Sequence, residues 1–172
     1  MKKILFAASE AVPFMKTGGL ADVTGSLPKY FDKKNYDVRV ILPKYVCMEE
    51  RWKGQLHFLC HFYVNLSWRK QYVGIFETTY DGITYYLVDN EFYFAGNAPY
   101  NNIYEDVEKF AFFSKAVLEA LPYLDFCPDI IHCHDWQTGL LPVFLRTLYG
   151  DEEYYTGIKT VFSIHNLKFQ GR

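Results

Sequence analysis

The chain has 172 residues, room for one domain or a piece of a larger one, and enough length to bury a sizeable core. Half of the residues are hydrophobic and 22% are charged, which excludes disorder as a main description. Eighteen basic against 20 acidic residues leave a net charge of -2, so no basic excess points to nucleic acid or to an anionic membrane.

Residues 2–9 read as a short, fully buried strand. The start, M-K-K-I-L-F-A-A, faintly resembles a secretory signal, but its apolar run ends after Ala8, which favours the strand. A loop with Pro13 and Gly18-Gly19 follows. From Leu20 a helical pattern runs through Val23, Leu27 and Phe31, and Pro28 should kink or shorten it. Residues 37–42 form a second buried strand, stopped by Pro43. Residues 56–66, 72–79 and 83–88 have strand character, with Asp81-Gly82 as a hairpin signal. They read as about 35 residues of antiparallel hairpins inserted on a parallel core. Residues 89–104 read as an ordered loop carrying Phe92, Tyr93, Phe94, Tyr100 and Tyr104, aromatics better explained by packing than as a sugar platform. A long helix follows, with Val107, Phe110, Ala111, Val117, Leu118 and Leu121 on one face, bracketed by Pro122 and Pro128. Strand 129–134, helix 138–149 capped by Gly150, and strand 158–164 complete the pattern. The fold class expected is α/β: a Rossmann-like parallel sheet with helices on both faces and an antiparallel hairpin insertion.

Cys47, Cys60, Cys127 and Cys133 form no C-x-x-C pair and no dense framework, which fits a reduced, cytoplasmic chain. No apolar stretch reaches the ~18 residues of a membrane span. Asn65-Leu66-Ser67 matches a glycosylation acceptor, which has no meaning without secretion. His57, Cys60 and His61 look like metal ligands, but a strand turns 60 away from 57 and 61. The same alternation separates Cys133 from His132 and His134, so no metal site is expected. No G-x-S-x-G elbow is present.

Three motifs fall at three strand ends, where open α/β sheets bind ligands. Lys16-Thr17-Gly18-Gly19-Leu20 follows the first strand and opens a helix. Glycine backbone N–H groups, a helix start and a lysine suit a phosphate or diphosphate, though a tight turn with a solvated lysine also fits. His134-Asp135 follows strand 129–134 and is either an acid/base or hydroxyl-binding pair, or a helix start capped by Asp135 or Thr138. His165-Asn166 ends the last strand, where a lone histidine is by itself more often structural. Convergence of Lys16, Asp135 and His165 on one rim is the expectation that joins them.

The motifs E-A-V-P-F-M-K-T-G-G-L-A-D-V at 10–23, H-C-H-D-W-Q-T-G-L-L-P at 132–142 and S-I-H-N-L-K-F-Q-G at 163–171 come in one order along the whole chain. In them the chain resembles bacterial glycogen synthase and its plant relative, starch synthase. The resemblance implies a GT-B glycosyltransferase, two Rossmann-like domains facing across a cleft, with residues 1–172 as most of the N-terminal, acceptor-side domain. It implies retaining transfer of glucose from ADP-glucose to the non-reducing end of an α-1,4-glucan, with no cofactor and no obligatory metal. Lys16, Gly18 and Gly19 would then meet the diphosphate, and Asp22 the sugar or acceptor. Asp135 and His165 would be the catalytic residues. His134 and Asn166 would bind substrate, the His165 carbonyl would lie near the anomeric carbon, and its ring near the sugar hydroxyls. Phe169 stands where many members have tyrosine. The resemblance also implies a continuation beyond Gly171 that carries the diphosphate-clamping cations and a catalytic glutamate, so the fragment alone is expected to be inactive. Two alternatives remain: a different GT-B enzyme using a UDP- or GDP-sugar, and a non-catalytic glucan-binding module.

Overall fold

The computed structural model describes residues 1–168. Among them, one mixed sheet runs in the order β3-β4-β5-β2-β1-β6-β7. Its strands are β1 Lys2–Ala7, β2 Tyr36–Pro43, β3 His57–Leu66, β4 Arg69–Tyr80, β5 Ile83–Asp89, β6 Ile130–His134 and β7 Lys159–Ser163. The pairs β2·β5, β1·β2, β1·β6 and β6·β7 are parallel, while β3·β4 and β4·β5 are antiparallel. The expected α/β class and its antiparallel part are both present. The hairpin insertion continues the same sheet, because β5 pairs directly with β2.

Local chemistry explains most of the boundaries. α1 spans Gly19–Ser26 and then tightens into a 3-10 turn, Leu27–Tyr30, with Pro28 in the first turn of that segment. Proline lacks an N–H donor and is tolerated there, whereas deeper in a helix it would break the ladder. Asp81 and Gly82 both have positive φ, 50° and 74°, as the two-residue turn between β4 and β5 demands. The turn between β3 and β4 carries Ser67 at φ 55° and no glycine, so β4 starts three residues before the expected 72. α2, Glu50–Lys53, is a single turn with no periodicity to announce it.

α3, Ile103–Ala120, opens on Asn102, whose side chain accepts from the backbone N–H of Tyr104 and Glu105. Its buried face differs from the expected stripe. Val107 is exposed, while Phe112, Phe113 and Ala116 are buried with Phe110, Val117 and Leu118. The helix is covered twice, by the sheet and by the Tyr93-Phe94 loop. Tyr93 stacks on Phe112 (4.6 Å), and Phe94 meets Phe112 and Phe113. α4, Leu140–Thr147, packs Leu141 and Leu145 into the same core. Gly150 does not end it in a left-handed cap. A side chain there would come within 2.5 Å of the Arg146 carbonyl oxygen, so close approach is what glycine allows. The opposite sheet face is closed by Phe14, Phe31 and Trp52 over Phe6, Val40, Leu42 and Tyr85. Among the described residues no helix is long and apolar enough to cross a membrane.

Candidate active site

β1 has β2 on one side and β6 on the other, so the chain winds away from β1 in both directions. The loops beyond the carboxyl ends of β1 and β6 therefore part, which is where open sheets form a crevice. A cavity of about 770 Å³ opens at this point. Its walls include Glu10, Thr17, Gly18, Gly19, Tyr100, Asp106, Asp135, Trp136, Gln137, His165 and Asn166.

The β1 side is built on two tyrosines, Tyr45 buried and Tyr100 partly buried. The Tyr45 hydroxyl donates to the Ser9 carbonyl oxygen (2.7 Å), and the Tyr100 hydroxyl shares a hydrogen bond with Ser9 Oγ (2.7 Å). Glu10, next in line, is almost wholly buried. Its Oε2 accepts from the Thr17 N–H (2.7 Å) and the Thr17 hydroxyl (2.8 Å), and its carbonyl accepts from Thr24 Oγ1 (2.6 Å). Burial pushes its carboxyl above the ordinary carboxylate range; the Thr17 bonds oppose this, and the Asp135 charge adds to it. The Glu10–Thr17 clasp folds residues 16–19 back over the strand end. Gly18 is extended, α1 starts at Gly19, and the space where a Gly19 side chain would stand is open. A helix start without side chains at its mouth suits an anion.

Lys16 and Asp22 lie at the same carboxyl edge but outside the cavity lining. The Lys16 ammonium contacts both Asp22 oxygens, at 2.7 and 2.8 Å, and both side chains are 52% exposed. An exposed pair of this kind is held by roughly 0–1 kcal/mol, so Lys16 can leave it for a stronger anion at little cost. The expected convergence of three side chains on one rim is thus met by Asp135 and His165, with Lys16 beside it.

On the β6 side, Asp135 has φ 57° and ψ -179°, a region nearly reserved for glycine. Such a residue costs of the order of 1–3 kcal/mol and persists where its surroundings fix it. Here its N–H donates to the Ser163 carbonyl (2.9 Å), its carbonyl accepts from the Thr138 N–H (3.1 Å), and Oδ1 accepts from the His165 N–H (2.7 Å). Neither Asp135 nor Thr138 caps the following turn through its side chain. Asp135 is committed to His165, and the Thr138 hydroxyl donates to the His134 carbonyl. Asn166 lines the cavity, and its Oδ1 accepts from the Lys168 N–H.

His134 departs from the expected direct contact with substrate. Its ring is fully buried and absent from the cavity wall, because β6 alternation turns it onto the sheet face of Phe6 and His132. Its Nδ1 meets His165 Nε2 at 2.8 Å. Burial, with His132 and His165 adding, pushes His134 down to about 3. His132 hydrogen-bonds Ser163 Oγ through Nε2 (2.7 Å) and is also lowered by burial and by His165. Among the described residues, no three His, Cys, Asp or Glu side chains are grouped as an ion would need.

Sequence reasoning missed Glu10, Thr17 and Asp106 as lining residues and assigned Tyr100 to packing alone. Glu10 had a signal: a carboxylate enclosed by Ala7, Ala8, Ala11 and Val12, where a charge is expected only with dedicated partners. Phe169, noted for its departure from tyrosine, lies outside the described residues.

The family model of the starch synthase catalytic domain matches residues 3–172. The chain is 67% identical to glycogen synthase of Lachnoclostridium phytofermentans and 62% identical to glycogen synthase of Lachnospira eligens. In both comparisons 99% of this chain aligns with 36% of the relative, so the chain spans about a third of the length of these curated relatives. Its fold matches the catalytic domain of Arabidopsis thaliana starch synthase IV, a structure bound to ADP and acarbose, with a TM-score of 0.85 at 30% identity over 99% of this chain and 35% of that one.

Proposed function

The chain belongs to the starch synthase catalytic-domain family, and from that premise we propose that it forms the acceptor-side Rossmann-like domain of a GT-B glycogen synthase. The parent protein transfers glucose from ADP-glucose to the non-reducing end of an α-1,4-glucan with retention of configuration. Four cysteines without a pairing framework support a reduced, cytoplasmic enzyme.

The observation that carries this reading is the cavity at the β1–β6 crevice. It joins an open helix start at Gly18-Gly19 to the Asp135–His165 wall. In the proposed roles, the Gly18 and Gly19 backbone and Lys16 meet the donor diphosphate. Asp135, His165 and Asn166 face the donor glucose, and Asp22 holds Lys16 until an anion arrives. As the glycosidic bond breaks, negative charge grows on the departing diphosphate, and fixed donors and cations aimed there lower the barrier. The Asp135 carboxylate holds the His165 backbone and so sets the His165 carbonyl beside the position of the anomeric carbon. Acarbose and ADP in the Arabidopsis structure support a glucan-like and a nucleotide ligand for this fold.

The test is glucosyl transfer by the full-length parent protein, offered ADP-glucose, UDP-glucose and GDP-glucose in turn with a maltooligosaccharide acceptor. ADP-glucose should give chain extension and equimolar ADP. Extension with UDP- or GDP-glucose alone would transfer the reading to a different GT-B enzyme. Glucan binding without transfer from any donor would make the chain a binding module.

A further inference from the structure

We propose that His134 is a positioning residue, whose Nδ1–H donates to His165 Nε2 and thereby holds His165 in the tautomer that offers its Nδ1–H to the cavity. The inference rests on the reading of His165 as a residue facing the donor sugar.

The geometry permits a single proton between the two rings. His134 Nδ1 and His165 Nε2 are 2.8 Å apart, and the rings lie nearly parallel, 13° between planes. One nitrogen donates and the other accepts. If His165 donated, neutral His134 would carry its own proton on Nε2. That atom is buried and has no hydrogen-bond partner among the described residues. The neighbours of the His134 ring are the Phe6 ring, with centroids at 5.1 Å, and the His132 ring at 4.1 Å. His132 uses its Nε2 on Ser163 Oγ, and the Asp135 carboxylate is engaged by the His165 backbone. A buried N–H left without a partner carries its full desolvation cost, and among backbone groups orphaned N–H donors are rarer than under-satisfied acceptors. The proton therefore belongs on His134 Nδ1.

Charging His134 is no escape from this choice. A second proton would place an imidazolium among Phe6 and His132, and burial holds the ring neutral, its pKa pushed down to about 3. With His134 fixed as the Nδ1–H tautomer, His165 Nε2 can only accept. The neutral His165 ring then keeps its proton on Nδ1, the nitrogen that makes no hydrogen bond among the described residues. Which ring nitrogen of a histidine works is set by the bond the other makes. The consequence is a fixed N–H donor on a residue that lines the cavity, matched to a sugar hydroxyl oxygen or a phosphate oxygen. The opposite tautomer would present a lone pair to those same oxygens.

Two readouts on the full-length enzyme test this. Long-range 1H–15N spectra of histidine-labelled enzyme read each tautomer directly, without substrate. They should show His165 protonated on Nδ1 and His134 protonated on Nδ1. A His165 ring protonated on Nε2 would overturn the proposal. For turnover, His134→Phe keeps the ring volume and the stacking but removes the donor. His134→Asn places an amide N–H close to the Nδ1 position. The Phe variant should lose about tenfold to a hundredfold in kcat with the glucan KM unchanged, and the Asn variant should recover most of it. Equal activity in the two variants, whether high or low, would reduce His134 to packing and overturn the proposal. If wild-type enzyme moves no glucose, the functional reading fails, while the spectra still decide the tautomer.

Discussion

At Glu10 and Lys16 the same short segment handles two charges in opposite ways. The Glu10 carboxylate is buried and kept by two Thr17 donors, so it builds the loop. Lys16 is half exposed and, among the described residues, tied only to Asp22, so it can be recruited at little cost. If Lys16 serves the diphosphate, Lys16→Ala in the full-length enzyme should cost a hundredfold to a thousandfold in kcat/KM for ADP-glucose, the usual scale for one transition-state contact. Glucan KM should stay near wild type, and Lys16→Arg should recover only part, since a planar fork does not replace a compact charge. A loss of less than threefold in steady-state kinetics would leave Lys16 as a solvated turn residue. His134 gives a prediction about stability. Its folded pKa of about 3 lies below the ordinary 6.5, so between these values the unfolded chain binds the extra proton. Stability from this group is intact above about pH 7 and is lost as pH falls. From pH 7 to pH 5 the loss is about 2 kcal/mol. His132, also lowered, adds in the same direction. Urea midpoints of wild type should drop more steeply over this range than those of His134→Phe, and parallel slopes would contradict the sign argued here. Asp135, His165 and the two glycines were legible in the sequence because the strand-end rule needs only strand order. Glu10 and the buried turn of His134 were not, because they depend on which partners a fold brings within hydrogen-bond reach.

The elements were legible where local chemistry is strong and illegible where tertiary packing decides. Pro28 truncates α1, and Asp81-Gly82 closes a hairpin, each through backbone geometry alone. α2 and the glycine-free turn at Ser67 carry no such mark. The misplaced face of α3 has a physical origin too: a single-stripe reading assumes one covered side, and Phe112 is claimed by the Tyr93-Phe94 loop. α1 offers the sharpest test at this scale. A side chain on Gly25 would meet Val12 Cγ2 and come within 2.5 Å of the Val12 carbonyl oxygen, in the segment just after Glu10. Alanine would otherwise favour a helix interior by up to about 1 kcal/mol over glycine. Forcing it against backbone costs more, about 1–3 kcal/mol in a packed site. Gly25→Ala should therefore lower the denaturation midpoint and pull the 16–19 loop from its place. Gly19→Ala, with nothing within 4 Å of the added carbon, should leave the midpoint within about 0.5 kcal/mol of wild type. If the two substitutions proved equally mild in thermal melts, the α1 packing described here would be wrong.

Across the whole molecule, the sheet order places the cavity at the crevice beside β1. The cavity walls supply an anion-suited helix start, Asp135 and His165, with the Lys16 cation beside them. The curated relatives are about three times as long as this chain. Transfer of a glucosyl group needs the donor held from both ends and water kept out, which two half-sites closing on each other provide. Residues 1–172 alone should therefore transfer no glucose from ADP-glucose to a maltooligosaccharide, while the full-length parent extends it. The comparison is made at matched molar concentration, with product lengths read by chromatography and the fold of the shorter chain checked by circular dichroism. Adding the remainder of the parent chain as a separate polypeptide should restore measurable transfer, because the missing donors and cations lie there in the proposed division of roles. Turnover by residues 1–172 without that partner would mean that Lys16, Asp135 and His165 form a complete catalyst. The two-domain reading would then fall.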